Sequence, residues 1–329
     1  MREVLFPPGL STGIGSLPHT DADAAAGFAL QWTAKLPAAP SLPRRSPTEG
    51  MVAQAAWGIS GVTVLPDGSL LVADGGIDPA APLTDPGVDG EPFVTLRTFL
   101  GAINGRVAPF KLQLTGPVTL GLALHAVGVA APEAISLAQV AVIGRVRAAL
   151  RAARQAAPGA TPVMFLDEPS LTAMLEPGFP FDPDDTLDLV SSVMAVVEER
   201  AIAGLHCCGR ADWQAVLQAG PQILSLPVGA GITAHAGALA GFLDRGGWVA
   251  WGAVPTDGPL FDSADVLWRR LRGEWDALAI AGCDPVLLRE RAILTPACGL
   301  VGFEVHQAER VAGLVNTLAS RLESSVQAS

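Results

Sequence analysis

Tyrosine is absent from this chain, and lysine occurs only as Lys35 and Lys111. Charged residues make up 16% of the composition, and there are four cysteines in 329 residues. So few cysteines in so long a chain exclude a disulfide scaffold, and Cys207, Cys208, Cys283 and Cys298 are read as reduced thiols. The most apolar stretch, Val118 to Ala131, is shorter than the roughly 20 residues of a membrane span and carries His125. Met1-Arg2-Glu3 leads to Pro7-Pro8 rather than to an apolar segment, so no signal peptide is expected. These absences predict a soluble cytoplasmic protein with no membrane partner. A Gly-x-Gly-x-x-Gly run after a strand is missing, as is a P-loop, which disfavours a dinucleotide fold. Basic residues are outnumbered 21 to 32 by acidic ones, giving a net charge of −11. An acidic surface of this kind argues against nucleic acid as a partner.

What is present is apolar material. Half of the residues are hydrophobic and the mean hydropathy is +0.39, enough for a large core and incompatible with global disorder. Short apolar strands alternate with helical patterns. Strands are predicted at Phe110 to Leu114, Pro162 to Leu166, Ile223 to Leu226, Trp248 to Trp251 and Ala292 to Thr295, with one closed by Gly204 to Leu205 and a strand end running into a loop over Ser11 to Leu17. Helices are predicted between them, the first capped by Thr20 and the longest at Pro132 to Ala156. Glu49 to Gly58 and Pro92 to Ile103 also read as helices. Pro37 to Pro47 and Ile77 to Glu91 read as loops, and Pro66-Asp67-Gly68 as the turn of a hairpin over Val62 to Val72. Repeated βα units imply a parallel sheet. The expectation is a single α/β domain over residues 1–329, a (β/α)8 TIM barrel with extra N-terminal loops and a hairpin; a doubly wound sheet is the alternative.

Polar residues collect at the C-terminal ends of the predicted strands: Ser16 and His19, Thr115, Asp167 and Glu168, His206 and Cys208, and Cys298. In a barrel these ends converge on the face that carries active sites. Residues two apart in a strand point the same way, so His206 and Cys208 share a side and Cys207 takes the other. An imidazole and two thiolates leave one tetrahedral position open on Zn²⁺, the pattern of a catalytic zinc site. The competing reading makes the cysteines small buried hydrophobes and His206 a core histidine. Asp167-Glu168-Pro169 puts adjacent carboxylates after an apolar strand, costly to bury unless partnered. One of them is expected to point into the mouth, to hold an ammonium, act as a base or join the metal; the other reading is a helix-capping acid.

Ser11-Thr-Gly-Ile-Gly-Ser-Leu-Pro-His-Thr20, Leu114-Thr-Gly-Pro-Val-Thr119, Leu166-Asp-Glu-Pro-Ser-Leu171, His206-Cys-Cys208 and Ala297-Cys-Gly-Leu300 resemble, in that order, the catalytic C-terminal barrel of cobalamin-independent methionine synthase. The chain looks like a short, barrel-only member of the uroporphyrinogen decarboxylase/methionine synthase superfamily. The resemblance implies that His206, Cys208 and Cys298 bind zinc. It implies that Ile14, Gly15 and Ser16 contact an amino-acid thiol such as homocysteine, and that Asp167 holds its ammonium. Glu168 joins Asp167 as an expected catalytic residue, and His19 and Thr115 as expected substrate contacts.

The chain departs from the family pattern in several places. The strand that carries a glutamate ligand reads Ile223-Leu-Ser-Leu-Pro227 here. The catalytic histidine corresponds to about Ala253, a downstream acid to Ala173, and the tryptophan that packs on folate to about Ala123. These differences imply a methyl donor other than folylpolyglutamate, such as a methyl-corrinoid protein. The expected function is therefore zinc-dependent methyl transfer to a thiol. The alternatives are a metal-free decarboxylase-like barrel, for which Arg44-Arg45 is the one obvious basic pair, and a non-catalytic accessory barrel that binds zinc or a ligand.

Overall fold

In the computed structural model, which describes residues 6–73, 77, 83–85, 87–260 and 263–327, parallel strands lie side by side with helices outside them. The elements are, in chain order, β1 (Leu10–Ser11), α1 (Ala22–Trp32), α2 (Met51–Ala56), β2 (Val62–Val64), β3 (Leu70–Val72), α3 (Val94–Ala102), β4 (Phe110–Thr115), α4 (Pro117–Ala126), α5 (Ala131–Ala156) and β5 (Pro162–Asp167). There follow α6 (Pro183–Glu198), β6 (Ile202–His206), α7 (Trp213–Gln218), β7 (Ile223–Pro227), α8 (Ala236–Asp244), β8 (Trp248–Val254), α9 (Ala264–Ile280), α10 (Pro285–Glu290), β9 (Ala292–Pro296) and α11 (Val305–Gln327).

Seven strands form one curled parallel sheet in the order β1-β9-β8-β7-β6-β5-β4, and β2 pairs with β3 as the expected hairpin. The predicted (β/α)8 barrel is met as far as this seven-stranded sheet; among the described residues no regular eighth strand joins it. The segment expected as a loop from Pro37 lies instead between the two sheet edges. On one side Lys111 N–H donates to Pro37 C=O at 2.8 Å and Ala39 N–H to Lys111 C=O at 2.9 Å. On the other, Ser41 N–H donates to Gly15 C=O at 3.2 Å and Leu17 N–H to Ser41 C=O at 3.0 Å. Prolines at 37, 40 and 43 remove donors and keep this segment from a regular ladder.

The strands are buried on both faces, as a helix-covered parallel sheet requires. Leu10, Leu36, Val163, Phe165, Ile223, Trp248, Ala250 and Ile293 pack together on the inner face. The alternate residues, such as Met164, Leu166, Val249 and Trp251, join the larger core beneath the helices. Gly204 sits level with Phe165, and a Cβ there would lie 2.7 Å from the phenyl ring. Glycine at this point makes room for the aromatic filler.

Several element limits differ from the sequence reading. Asp21, not Thr20, caps α1, its carboxylate accepting from Ala24 N–H at 2.8 Å. The helix expected from Glu49 is broken: Gly50 is extended between a 3₁₀ turn at Pro47–Glu49 and α2. The Ile77 to Glu91 loop falls largely outside the described residues. Short α10 was not anticipated, although Asp284 capping ahead of Pro285 is a local start signal. No helix among the described residues is long and apolar enough to cross a membrane.

Candidate metal centre

Period-two alternation carries the inner face upward into a polar row. Thr115 pairs in register with Asp167, Asp167 with His206, and His206 with Ser225. Four neighbouring strands thus end in inward polar groups at one level. Beyond β6 the chain turns, sending Cys207 into the outer core and leaving Cys208 partly exposed. Cys298 lies just past β9, three strands away in the sheet. Curling of the sheet nonetheless places one ligand atom each of His206, Cys208 and Cys298 within 4.8 Å of one another.

The donor set suits a borderline-soft ion such as Zn²⁺, bound at ~2.0–2.3 Å by imidazole and thiolate. Two observations support the fit. His206 is buried, its Nδ1 lies 2.9 Å from Ser225 Oγ, and its Nε2 has no hydrogen-bond partner. The two thiols are hydrogen-bond partners: the contact pulls Cys298 down, with help from His206, and pushes Cys208 up. Cys207, by contrast, is pushed up to about 11 by burial. All four cysteines are free.

A cavity of about 120 Å³ opens beside this trio, lined also by Ile14, Ser16, Gln54, Gln113, Thr115 and Asp167. Asp167 is buried and its Oδ1 has no partner. Burial raises its pKa, while the charges of Lys111 and His206 oppose that shift. Lys111 is equally buried. Its ammonium donates to Ile14 C=O at 2.5 Å and Gln113 Oε1 at 3.2 Å, and lies 4.7 Å from the centre of the Phe165 ring. Burial pulls it down to about 8 against the attraction of Asp167.

Not every expected residue reaches the cavity. Glu168 turns away, accepting from Val118 N–H at 2.7 Å, Thr119 N–H at 2.8 Å and the Thr119 hydroxyl at 2.6 Å. Its carboxylate is thus committed to the first turn of α4, where a negative charge suits the helix dipole. Burial pushes it up to about 7 even against these bonds. His19 packs edge-on to Phe28 with ring centroids 5.2 Å apart, outside the cavity, and burial lowers its pKa. Gly15 has φ +155°, and a Cβ there would strike the Gln113 amide. It lets Gln113 pass beneath the Ile14–Ser16 turn and donate to Ala39 C=O. Thr115 lines the cavity while its hydroxyl donates to Met51 C=O at 2.7 Å.

Sequence reasoning passed over Ser225, Lys111, Gln113, Gln54 and Glu49. The first three lie on strands at positions that alternation marks as inward. Glu49 had no such signal. It is buried beside the cavity, accepting from Leu42 N–H at 2.7 Å, from Arg45 at 2.8 Å and from the Thr95 hydroxyl at 2.8 Å.

No family model matches the chain, and no curated protein matches it by sequence. Solved structures do. A B12-independent methionine synthase from Shewanella sp. W3-18-1, in complex with selenomethionine, is similar with a TM-score of 0.66 at 15% identity, over 98% of this chain and 100% of that one. A methyltransferase from Methanosarcina mazei follows with a TM-score of 0.56 at 15% identity, covering 99% of this chain and 94% of that one. A putative vitamin-B12 independent methionine synthase from Listeria monocytogenes gives 0.54 at 14% identity, over 98% and 99%. At such identities the likeness is one of fold, and it extends over essentially the whole chain.

Proposed function

We propose that this chain is a zinc-dependent methyltransferase that moves a methyl group onto a small thiol of the homocysteine type. The observation that carries the reading is the clustering of His206, Cys208 and Cys298 at the mouth of a curled parallel sheet, with the buried His206 Nε2 lacking any partner. The same fold is found in the solved B12-independent methionine synthases and supports the proposal. In this reading His206, Cys208 and Cys298 hold Zn²⁺. Bound zinc deprotonates a coordinated thiol, whose ordinary pKa is about 8.5, and so makes it a nucleophile at neutral pH.

The remaining roles fall to the residues around the cavity. Asp167 offers its unpartnered Oδ1 to the substrate ammonium, and Ile14, Ser16 and Thr115 bound the space beside it. Gly15 and His19 shape the turn that carries Ile14 and Ser16. Glu168 anchors α4 and so fixes Asp167 from behind. Residues 37–41 act as the second strand of an eight-stranded barrel. Two thiolates and no carboxylate ligand leave the zinc site formally neutral, which favours binding of an anionic thiolate. A methyl-corrinoid protein is the proposed donor.

Zinc content of protein purified without added metal, beside Cys208→Ser, tests this reading. Near one zinc per chain, lost in the variant, is expected. Methylcobalamin and homocysteine then yield methionine with the wild type alone. Absence of zinc even after reconstitution overturns the proposal.

A further inference from the structure

A histidine binds a metal through one ring nitrogen, and the partner of the other nitrogen decides which. His206 Nδ1 lies 2.9 Å from the Oγ of Ser225. The two residues are register partners on β6 and β7, and both are almost fully buried. Their separation is therefore set by the backbone ladder on either side. Cys207 N–H donates to Ser225 C=O at 3.1 Å, extending that ladder by one step past the pair.

A hydroxyl can donate or accept, so the contact permits two arrangements. If Ser225 donates to Nδ1, the ring proton sits on Nε2, the nitrogen that Ser225 does not reach. A proton there blocks the nitrogen from a metal. If Nδ1–H donates to Ser225 Oγ, Nε2 carries a bare lone pair in the pocket it shares with Cys208 and Cys298. A metal then takes the ring nitrogen that does not meet Ser225. Resting on the zinc reading above, we infer that Ser225 is a positioning residue that holds His206 in the Nδ1–H form and makes Nε2 the ligating atom. A neutral hydroxyl does this without adding charge. It keeps the ring in place while leaving the site with no negative charge beyond its two thiolates.

The test uses full-length protein with histidine labelled in the ring, loaded with Zn²⁺. Long-range ¹H–¹⁵N spectra report the state of each ring nitrogen, and chelator competition reports affinity. The wild type is expected to show a protonated Nδ1 and a metal-bound Nε2 for His206. Ser225→Ala is expected to bind zinc about 10–100-fold more weakly, with the two ring nitrogens no longer cleanly distinguished. Ser225→Thr, which retains the hydroxyl, is expected to restore the wild-type nitrogen pattern. Circular dichroism of the apo variants checks that they fold. Ligation through Nδ1 in the wild type overturns the inference, as does a Ser225→Ala protein with unchanged affinity and unchanged ring signals. A wild-type protein that binds no zinc overturns the zinc reading itself and this inference with it, and that result appears before any variant is made.

Discussion

Asp167 and His206 are register partners at the ends of β5 and β6, so a carboxylate and an imidazole project side by side from adjacent strands. The imidazole has its partner in Ser225, whereas Asp167 Oδ1 has none. A site built this way sets an imidazole that could hold a metal beside an unpartnered carboxylate oxygen that could meet a cation. Asp167→Asn is expected to retain zinc and to weaken homocysteine binding about 10–100-fold, the value of a charged hydrogen bond. Binding of 3-mercaptopropionate, which lacks the ammonium, is expected to change little. Calorimetric titration of both thiols checks this, and equal losses for the two would remove Asp167 from ammonium recognition.

Glu168 is the neighbour with the opposite fate. Its removal in Glu168→Ala strands two backbone N–H groups and the Thr119 hydroxyl at the start of α4. The expected cost is roughly 2–4 kcal/mol of unfolding free energy, read from urea denaturation. Zinc affinity is expected to follow stability rather than to vanish. A fully stable variant without activity would move Glu168 back into the chemistry.

Lys111 provides a pH signature. Its folded value of about 8 lies below the ordinary 10.5. Between the two, the unfolded chain holds a proton that the folded chain has released, so stability rises with pH across this window. The difference amounts to roughly 3 kcal/mol at most. Tyrosine, which would titrate in the same range, is absent, and the only other lysine is the half-exposed Lys35. Wild type is therefore expected to gain on Lys111→Met between about pH 8 and 10. Parallel denaturation curves across that range decide the matter; a constant offset between the two proteins would refute it.

Gly204→Ala forces a methyl group against the Phe165 ring. Overpacking of this kind costs about 1–3 kcal/mol. Phe165→Leu in the same chain is expected to recover part of it, which a thermal melt of single and double variants measures.

Much of this arrangement was legible beforehand. Asp167, His206, Cys208 and Cys298 announce themselves because charged or metal-binding groups stand where apolar strands stop. Strands β4 to β9 follow from their apolar runs, whereas β1 is Leu10–Ser11 and only touches the expected Ser11 to Leu17 segment. What stayed hidden depends on contacts that no local pattern encodes. Ser225 is an ordinary serine until register sets it beside His206. Residues 37–41 read as a proline-rich loop because their bonds run to Gly15 and Lys111, far away in sequence. Glu168 looks like half of a catalytic pair until the helix that claims it is in place, and Glu49 carries no signal at all.

Ser16 and Gly299 lie nearly the whole chain apart, yet a Cβ on Gly299 would overlap the Ser16 hydroxyl, and Leu300 N–H donates to Ser16 C=O at 2.8 Å. The first turn of the cavity is thus latched to the loop that delivers Cys298. Until the last βα unit docks against the first strand, Cys298 has no fixed place beside His206 and Cys208. The His206, Cys208 and Cys298 cluster is therefore complete only once the two ends of the chain have met.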